Sequence, residues 1–442
     1  INGFSLKNTI SPIADISGFK IQATSASGQG VFSFDNIELK DLNTDSSNLP
    51  TVDLINTPEA YLGRKHPRIW TSYTERQKIV DNIRQHPWAL SLFNQLVSRQ
   101  QNVAKITHKN NPSALLSTIP QIPGDRLIHR EILNDAVESG ILYFLTDDED
   151  YAQRAADVFH QYAKIISPLN ANTFQFYTPN FNHLIQTREL FPRVAMIYDF
   201  IQPFLKKNTT TVYDVSTNSR VDFSFNNAQA TFEVLANNVI EEGANNSNHP
   251  VLELPGGLYN VLCMEDDEVR ATFFDKLLNG VARSSQPGIN WMLSHFSPVE
   301  RLWPESAGYG KFTHAIFLQS LNIVDAYRPD LNLIDNNKDI IESIFTYENI
   351  LYPNGATMAY GDIGRNFTDH AHIYRGVLKI ADRKGYTDIK ERAISTLQKI
   401  YAAEGGYNPV IENQRLEWNN PLQLLWGVNV DESVNSTGET LN

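Results

Sequence analysis

One cysteine, four methionines and no long apolar run set the first limits on this 442-residue chain. With Cys263 alone, no intrachain disulfide can form and no cysteine cluster can hold a metal. No hydrophobic stretch reaches the ~18–20 residues that a membrane helix needs. Charge is modest, 20% of residues, and its balance is acidic: 37 Lys+Arg against 50 Asp+Glu, a formal −13. The basic footprint of a nucleic-acid binder is therefore missing. A local Arg or His cluster can still outweigh the global sign inside a cleft, so an anionic substrate stays open. Hydrophobic residues make up 41%, which argues against a disordered chain. The phosphate loop, the dinucleotide fingerprint, the G-x-S-x-G elbow and H-E-x-x-H are all missing. The chain opens at Ile1 rather than Met, so it is expected to begin inside a longer reading frame, with no signal peptide legible.

What is present reads as mainly α. Residues 19–23 alternate like a strand, 25–30 form a small-residue turn, and 31–39 are a second apolar run. These are too few strands for a stable sheet. They are expected to be the C-terminal part of a β-sandwich, with 41–50 as a polar linker, which gives a first domain over 1–50. From about Thr71 the period becomes helical. Ile79, Ile83, Leu92, Phe93 and Leu96 follow Ser72 or Thr74 as an N-cap. Thr146 is expected to cap a helix striped by Tyr151, Ala155, Val158, Phe159, Tyr162 and Ile165. The acid run 147–150 suits the positive end of that helix rather than calcium, because EF-hand spacing and its glycine are missing. Further helices are expected over 187–205, 226–243, 267–283, 310–327, 337–348, 371–384 and 387–402. A hairpin pairs 212–215 with 221–225. Successive helical hairpins stack as an open solenoid or close as a toroid. The long, aromatic-rich loops favour an (α/α) toroid, an incomplete helical barrel, over 51–430. Residues 431–442 are expected to be a tail or the start of a C-terminal β-domain.

Four segments carry chemistry. In 241–250 an amide-rich loop ends in Asn248-His249-Pro250. Capping accounts for some of its asparagines, but not for an imidazole placed directly after them. An amide donor beside an imidazole suits a site that binds a carboxylate and handles a proton. In 301–309, Arg301, Trp303, Glu305 and Tyr309 crowd a loop that enters a helix. In 182–189, Arg188 and Glu189 read equally well as a structural ion pair. In 359–365, Tyr360 and Arg365 flank Gly361-Asp362-Ile363-Gly364, and His370 and His372 follow. Two histidines at i and i+2 do not share a helix face, so no metal site is expected there.

The Asn-His loop, Trp303-Pro304-Glu305-Ser306 with Tyr309, and the Gly361 to Arg365 turn resemble the helical toroid of heparinase II/III-like and alginate polysaccharide lyases. His66-Pro67-Arg68-Ile69-Trp70 and His86-Pro87-Trp88 resemble the start of that toroid. The resemblance covers about residues 60–430. It implies β-elimination on a uronic-acid polysaccharide, with alginate or glucuronan favoured because the chain is acidic. The C5 proton becomes removable once the sugar carboxylate is neutralised. Asn248, with Arg188, Arg301 or Arg365, is the candidate for that neutralisation. By the resemblance Tyr309 is the acid, and also the base when proton and leaving group share a face. His249 is the base when they do not. Glu305 is placed to orient Arg301, and Trp303 and Tyr360 to stack on sugar rings. No cofactor, metal, nucleic acid or membrane partner is expected. The partner is an anionic polysaccharide, and a polymeric substrate implies a secreted or periplasmic protein. Two other classes fit part of the pattern. A toroid glycoside hydrolase needs two carboxyls, for which Glu305 and Asp362 are candidates. A non-catalytic glycan-binding protein needs no His249–Tyr309 pair.

Overall fold

The computed structural model describes residues 53–177, 183–280, 286–350, 371–403 and 419–430. All belong to one unit spanning Asp53–Asn442. The strands expected over 19–39 lie outside the described residues. The unit is mainly α. α1 (Tyr73–Gln85) and α2 (Pro87–Asn102) part at His86, where Pro87 removes an amide donor and opens the second helix. The stripe read over 79–96 is thus shared by two helices. α3 (Pro112–Leu116) precedes α4 (Arg126–Thr146) and α5 (Glu149–Ile166). The cap of α5 is Asp148, whose carboxylate accepts from Asp150 N, and not Thr146. Thr146 closes α4 instead and bonds back to Leu142 O, after which Asp147 turns left-handed at φ 58°.

A short α6 (His183–Ile185) runs through a π-helical turn, Gln186–Leu190, into α7 (Phe191–Leu205). β1 (Thr211–Asp214) pairs antiparallel with β2 (Ser219–Asp222), Thr211 opposite Asp222, close to the expected hairpin. Then come α8 (Phe225–Glu242), α9 (His249–Cys263), α10 (Asp267–Asn279), α11 (Ile289–His295) and α12 (Ala307–Tyr327). α13 (Leu333–Asn336), α14 (Lys338–Ser343), α15 (Ala371–Lys384), α16 (Thr387–Ala403) and α17 (Asn419–Trp426) follow. The helix expected over 337–348 tightens after Ser343 into a 3-10 segment. None of the expected helix ranges covers α9, whose Pro255, Gly256 and Gly257 are poor local helix formers. Packing overrides that local preference. Gly256 lets α9 press on the π turn so closely that a Cβ there would stand 2.2 Å from Thr187 O.

The helices close into a ring. α2 packs on α4, α4 on α7, α7 on α9, α9 on α12, α12 on α15 and α15 on α17, and α17 returns to α2. α1, α5, α8, α10 and α16 back these helices, which makes the unit an (α/α) toroid. From α4 round to α15 the ring neighbours run parallel. Arg126 meets Glu189 near the starts of α4 and α7. Asn260 of α9 donates to Phe191 O, and Cys263 to Ala195 O, along α7. Ser247 meets Glu305 just before α9 and α12, and Arg270 joins Met264 O to the Tyr327 hydroxyl at their far ends. Arg383 and Lys384 of α15 reach Asn322 and Asp325 of α12. The N-termini of α4, α7, α9 and α12 therefore gather at one end, and their positive dipole ends with them. Toward the other end, buried Asp199 accepts from His66 Nδ1 at 2.7 Å and from the amides of Arg68 and Ile69, fixing the segment before α1. Among the described residues no helix is long and apolar enough to cross a membrane.

Candidate active site

At the N-terminal end of the ring, α7, α9 and α12 all start without a side-chain capping bond, and two of these starts carry chemistry. α4, α5, α8 and α10 are capped by Asp125, Asp148, Ser224 and Asp266, whose side chains accept the first free amides. Asn248 and Ser306 hold the corresponding positions before α9 and α12 but make no such bond. Asn248 is only 6% exposed and its side chain makes no capping bond. Ser306 Oγ is buried with no hydrogen-bond partner among the described residues, which is costly unless something else satisfies it. The loops that lead in are also constrained. Ser247 and Arg301 sit in the left-handed region at φ 56° and 55°, where neither residue type settles readily.

One hydrogen bond ties the two starts together. Ser247 Oγ donates to Glu305 Oε2 at 3.0 Å, and Glu305 Oε1 accepts from Ser306 N at 3.0 Å. Glu305 thus links the loop that carries Asn248 and His249 to the first turn that carries Tyr309. Tyr309 is 43% exposed, a large ring left open to solvent in an otherwise buried turn. His249, half-buried, follows Asn248 as the first residue of α9. Three predicted residues, Asn248, His249 and Tyr309, are therefore brought to the same end of the ring.

Others are placed differently. Arg301 lies 2.7 Å from Asp339 Oδ2, so Glu305 does not orient it. Trp303 is 2% exposed and packed against His295 and Phe296, with ring centroids 5.1 and 5.4 Å away. Its faces are taken by the core, which corrects the expectation that it stacks on a sugar. Arg188 projects from the π turn, 3.5 Å from Glu189 Oε1. Glu189 is itself held by Arg126, so the ion-pair reading accounts for much of that segment. Tyr360, Arg365, Asp362 and His370 lie outside the described residues.

Two residues escaped the sequence reading. Glu253 stands one turn after His249 on α9 and is 1% exposed. Its Oε2 accepts from Ala244 N at 3.2 Å and lies 3.2 Å from His183 Nδ1. The other nitrogen of His183 meets Asn238 Oδ1 at 3.1 Å. Burial works against the charge of His183, but Glu253 and Asn238 outweigh it and raise the imidazole above its ordinary range. The i, i+4 spacing of His249 and Glu253 was a legible signal, but it required recognising α9 as a helix.

Residues 299–440, which include Arg301, Glu305 and Tyr309, match the family described as the second domain of endo-acting ulvan lyase. Over 389 residues the chain is 33% identical to the endo-acting ulvan lyase of Formosa agariphila, covering 84% of this chain and 47% of that protein. The chain thus spans about half the length of the curated relative it matches. Both findings name ulvan lyases rather than the heparinase or alginate types, and the likeness is to a polysaccharide lyase.

Proposed function

We propose that this chain is part of a polysaccharide lyase that cleaves a uronic-acid-containing, ulvan-like polymer by β-elimination. The observation that carries the reading is the joined pair of helix starts. An uncapped start bearing an amide and an imidazole is tied through Ser247 and Glu305 to a start bearing an exposed phenol, at the end of the ring where helix dipoles are positive. Asn248 binds the sugar carboxylate and withdraws charge from C5, so that the carbanion-like state becomes accessible. His249 or Tyr309 takes the C5 proton, and Tyr309 protonates the departing O4 oxygen. The C4–O4 bond breaks and a C4–C5 double bond forms. The partly exposed Arg126 and Arg188 add positive charge at the same end.

The ulvan-like substrate replaces alginate and glucuronan as first choice because of the names of the matching family and of the relative. A hydrolase fits less well. Its acid and base need carboxyls open to the substrate, whereas both oxygens of Glu305 are engaged by Ser247 and Ser306 N. A polymeric substrate also places the protein outside the cytoplasm.

The test is the near-ultraviolet absorbance of the new double bond while the protein is mixed with ulvan, alginate, glucuronan and glycosaminoglycans in turn. A rise with ulvan supports the reading, and a rise with another polymer alone corrects the substrate. Reducing ends appearing without absorbance would mean hydrolysis.

A further inference from the structure

A buried carboxylate beside an anion-binding site poses an electrostatic problem. Glu253 lies one helical turn, about 5.4 Å of rise, from His249, and its carboxylate receives an amide from the loop that bears Asn248. Left bare, it would repel a sugar carboxylate seated there. Its Oε1 is buried and has no hydrogen-bond partner among the described residues, so the charge is poorly solvated as well. His183 is the group placed to cancel it. The imidazole faces acceptors on both sides, Glu253 at 3.2 Å and Asn238 Oδ1 at 3.1 Å. Asn238 Oδ1 also accepts from Gln186 Nε2 at 3.2 Å, and its own amide nitrogen donates to Ala171 O. These bonds fix the orientation of Asn238, with its oxygen toward His183. Nε2 bonds Asn238 Oδ1, while Nδ1 makes no hydrogen bond of its own and lies buried 3.2 Å from the Glu253 carboxylate, an ion-pair separation that favours the imidazolium.

We propose that His183 and Glu253 are positioning residues whose charges cancel, so that the site accepts the carboxylate of a uronic-acid sugar at Asn248. The proposal rests on the lyase reading and deepens it. Neither residue touches the reacting atoms. Few other charges intervene. On the segment of His183, Arg188 and Glu189 pair with each other and Glu189 with Arg126. From α8 comes the neutral Asn238, with Glu241 and Glu242 exposed at that helix's end and Glu241 paired to Lys276. From α9 come Glu253 and His249.

Because the imidazole is raised, the cancelled state has a defined pH window. It is fully present below the ordinary histidine value of ~6.5 and is lost as pH rises through the elevated one. Above that, the bare Glu253 charge faces the substrate. At a separation of about 10 Å and an effective dielectric of about 20, a like charge weakens anion binding on the order of tenfold.

The experiment has two arms. In the first, ring 15N chemical shifts of His183, assigned with His183→Gln, are followed against pH in the substrate-free chain. A protonated ring at neutral pH, turned neutral by Glu253→Gln, is the expected result; a ring already neutral in the parent overturns the proposal. In the second, KM and kcat for the cleaved polymer are measured. His183→Gln is expected to raise KM about tenfold at neutral pH with kcat within a few-fold. The double variant His183→Gln/Glu253→Gln is expected to restore KM, because both charges are gone while the introduced amide oxygen can still accept from Ala244 N. A double variant as impaired as the single one would show mere packing and overturn the idea. The titration needs no substrate. Failure to cleave any polymer therefore sinks the lyase reading, while the titration still decides the charged pair.

Discussion

Adjacent glycines on α9 are expected to respond oppositely to the same substitution. Gly→Ala in a helix interior gains about 1 kcal/mol from propensity alone. At Gly257 the new methyl would meet Leu277 Cδ2 and Val239 Cγ1, each at 3.2 Å, side-chain ends that can give by a few tenths of an ångström. Gly257→Ala should therefore be neutral to slightly stabilising. At Gly256 the methyl would stand 2.2 Å from Thr187 O, 3.0 Å from its carbonyl carbon and 3.3 Å from its Cα. These are backbone atoms of the π turn and cannot rotate away. Normal contact requires α9 and the turn to part by roughly 1 Å, an overpacking of the kind that costs about 1–3 kcal/mol or more. With the propensity gain subtracted, a loss of about 2 kcal/mol remains for Gly256→Ala. The same displacement moves Asn248, His249 and Glu253 relative to His183, and a shift near 1 Å at a reacting centre can cost about 100-fold in rate. Urea midpoints and turnover of the parent and both variants form the assay. A Gly256→Ala chain as stable as the parent, or losses of equal size at the two glycines, would refute the argument that this contact holds α9 in place.

Tyr309→Phe should nearly abolish double-bond formation while leaving oligosaccharide binding within a few-fold, and His249→Ala should lower turnover at least ~100-fold; steady-state kinetics with calorimetric binding checks both. Glu305→Ala removes the acceptor shared by Ser247 and Ser306 N. It should cut kcat while the melting temperature scarcely moves, and an unchanged kcat would deny the link between the two helix starts. Trp303→Ala should destabilise the fold by about 3–5 kcal/mol, as emptying a core site does, rather than raise KM selectively; a KM effect at full stability would return Trp303 to the substrate.

The long amphipathic helices and the hairpin were legible because periodicity and turn residues report burial directly. The succession of helical hairpins left a solenoid or a toroid, and the long aromatic-rich loops favoured the toroid. α9 was not legible, because Pro255, Gly256 and Gly257 speak locally against a helix and only the backbone of Thr187, distant in sequence, requires glycine there. Asn248, His249 and Tyr309 stood out by residue type and order. Trp303 shows the limit of that reasoning. An aromatic in a polar loop looks available to a ligand, yet its burial depends on Phe296 and His295, whose direction no local pattern gives. Glu305 was noticed for its charge, while its work as a tie depends on Ser247, 58 positions away.

Closure of the ring also bears on how the chain comes to be folded at all. Asn82 of α1 donates to Gly427 O across 345 positions, and Trp426 to Trp70 O across 356. During synthesis at about 5–20 residues per second, roughly 17–70 s separate the emergence of those partners. Through that interval the apolar faces of α1 and α2 have no final neighbour on one side. Contacts of such sequence separation also form late and slowly. A nascent chain of this kind exposes an unfinished seam along its first two helices until the residues of α17 emerge.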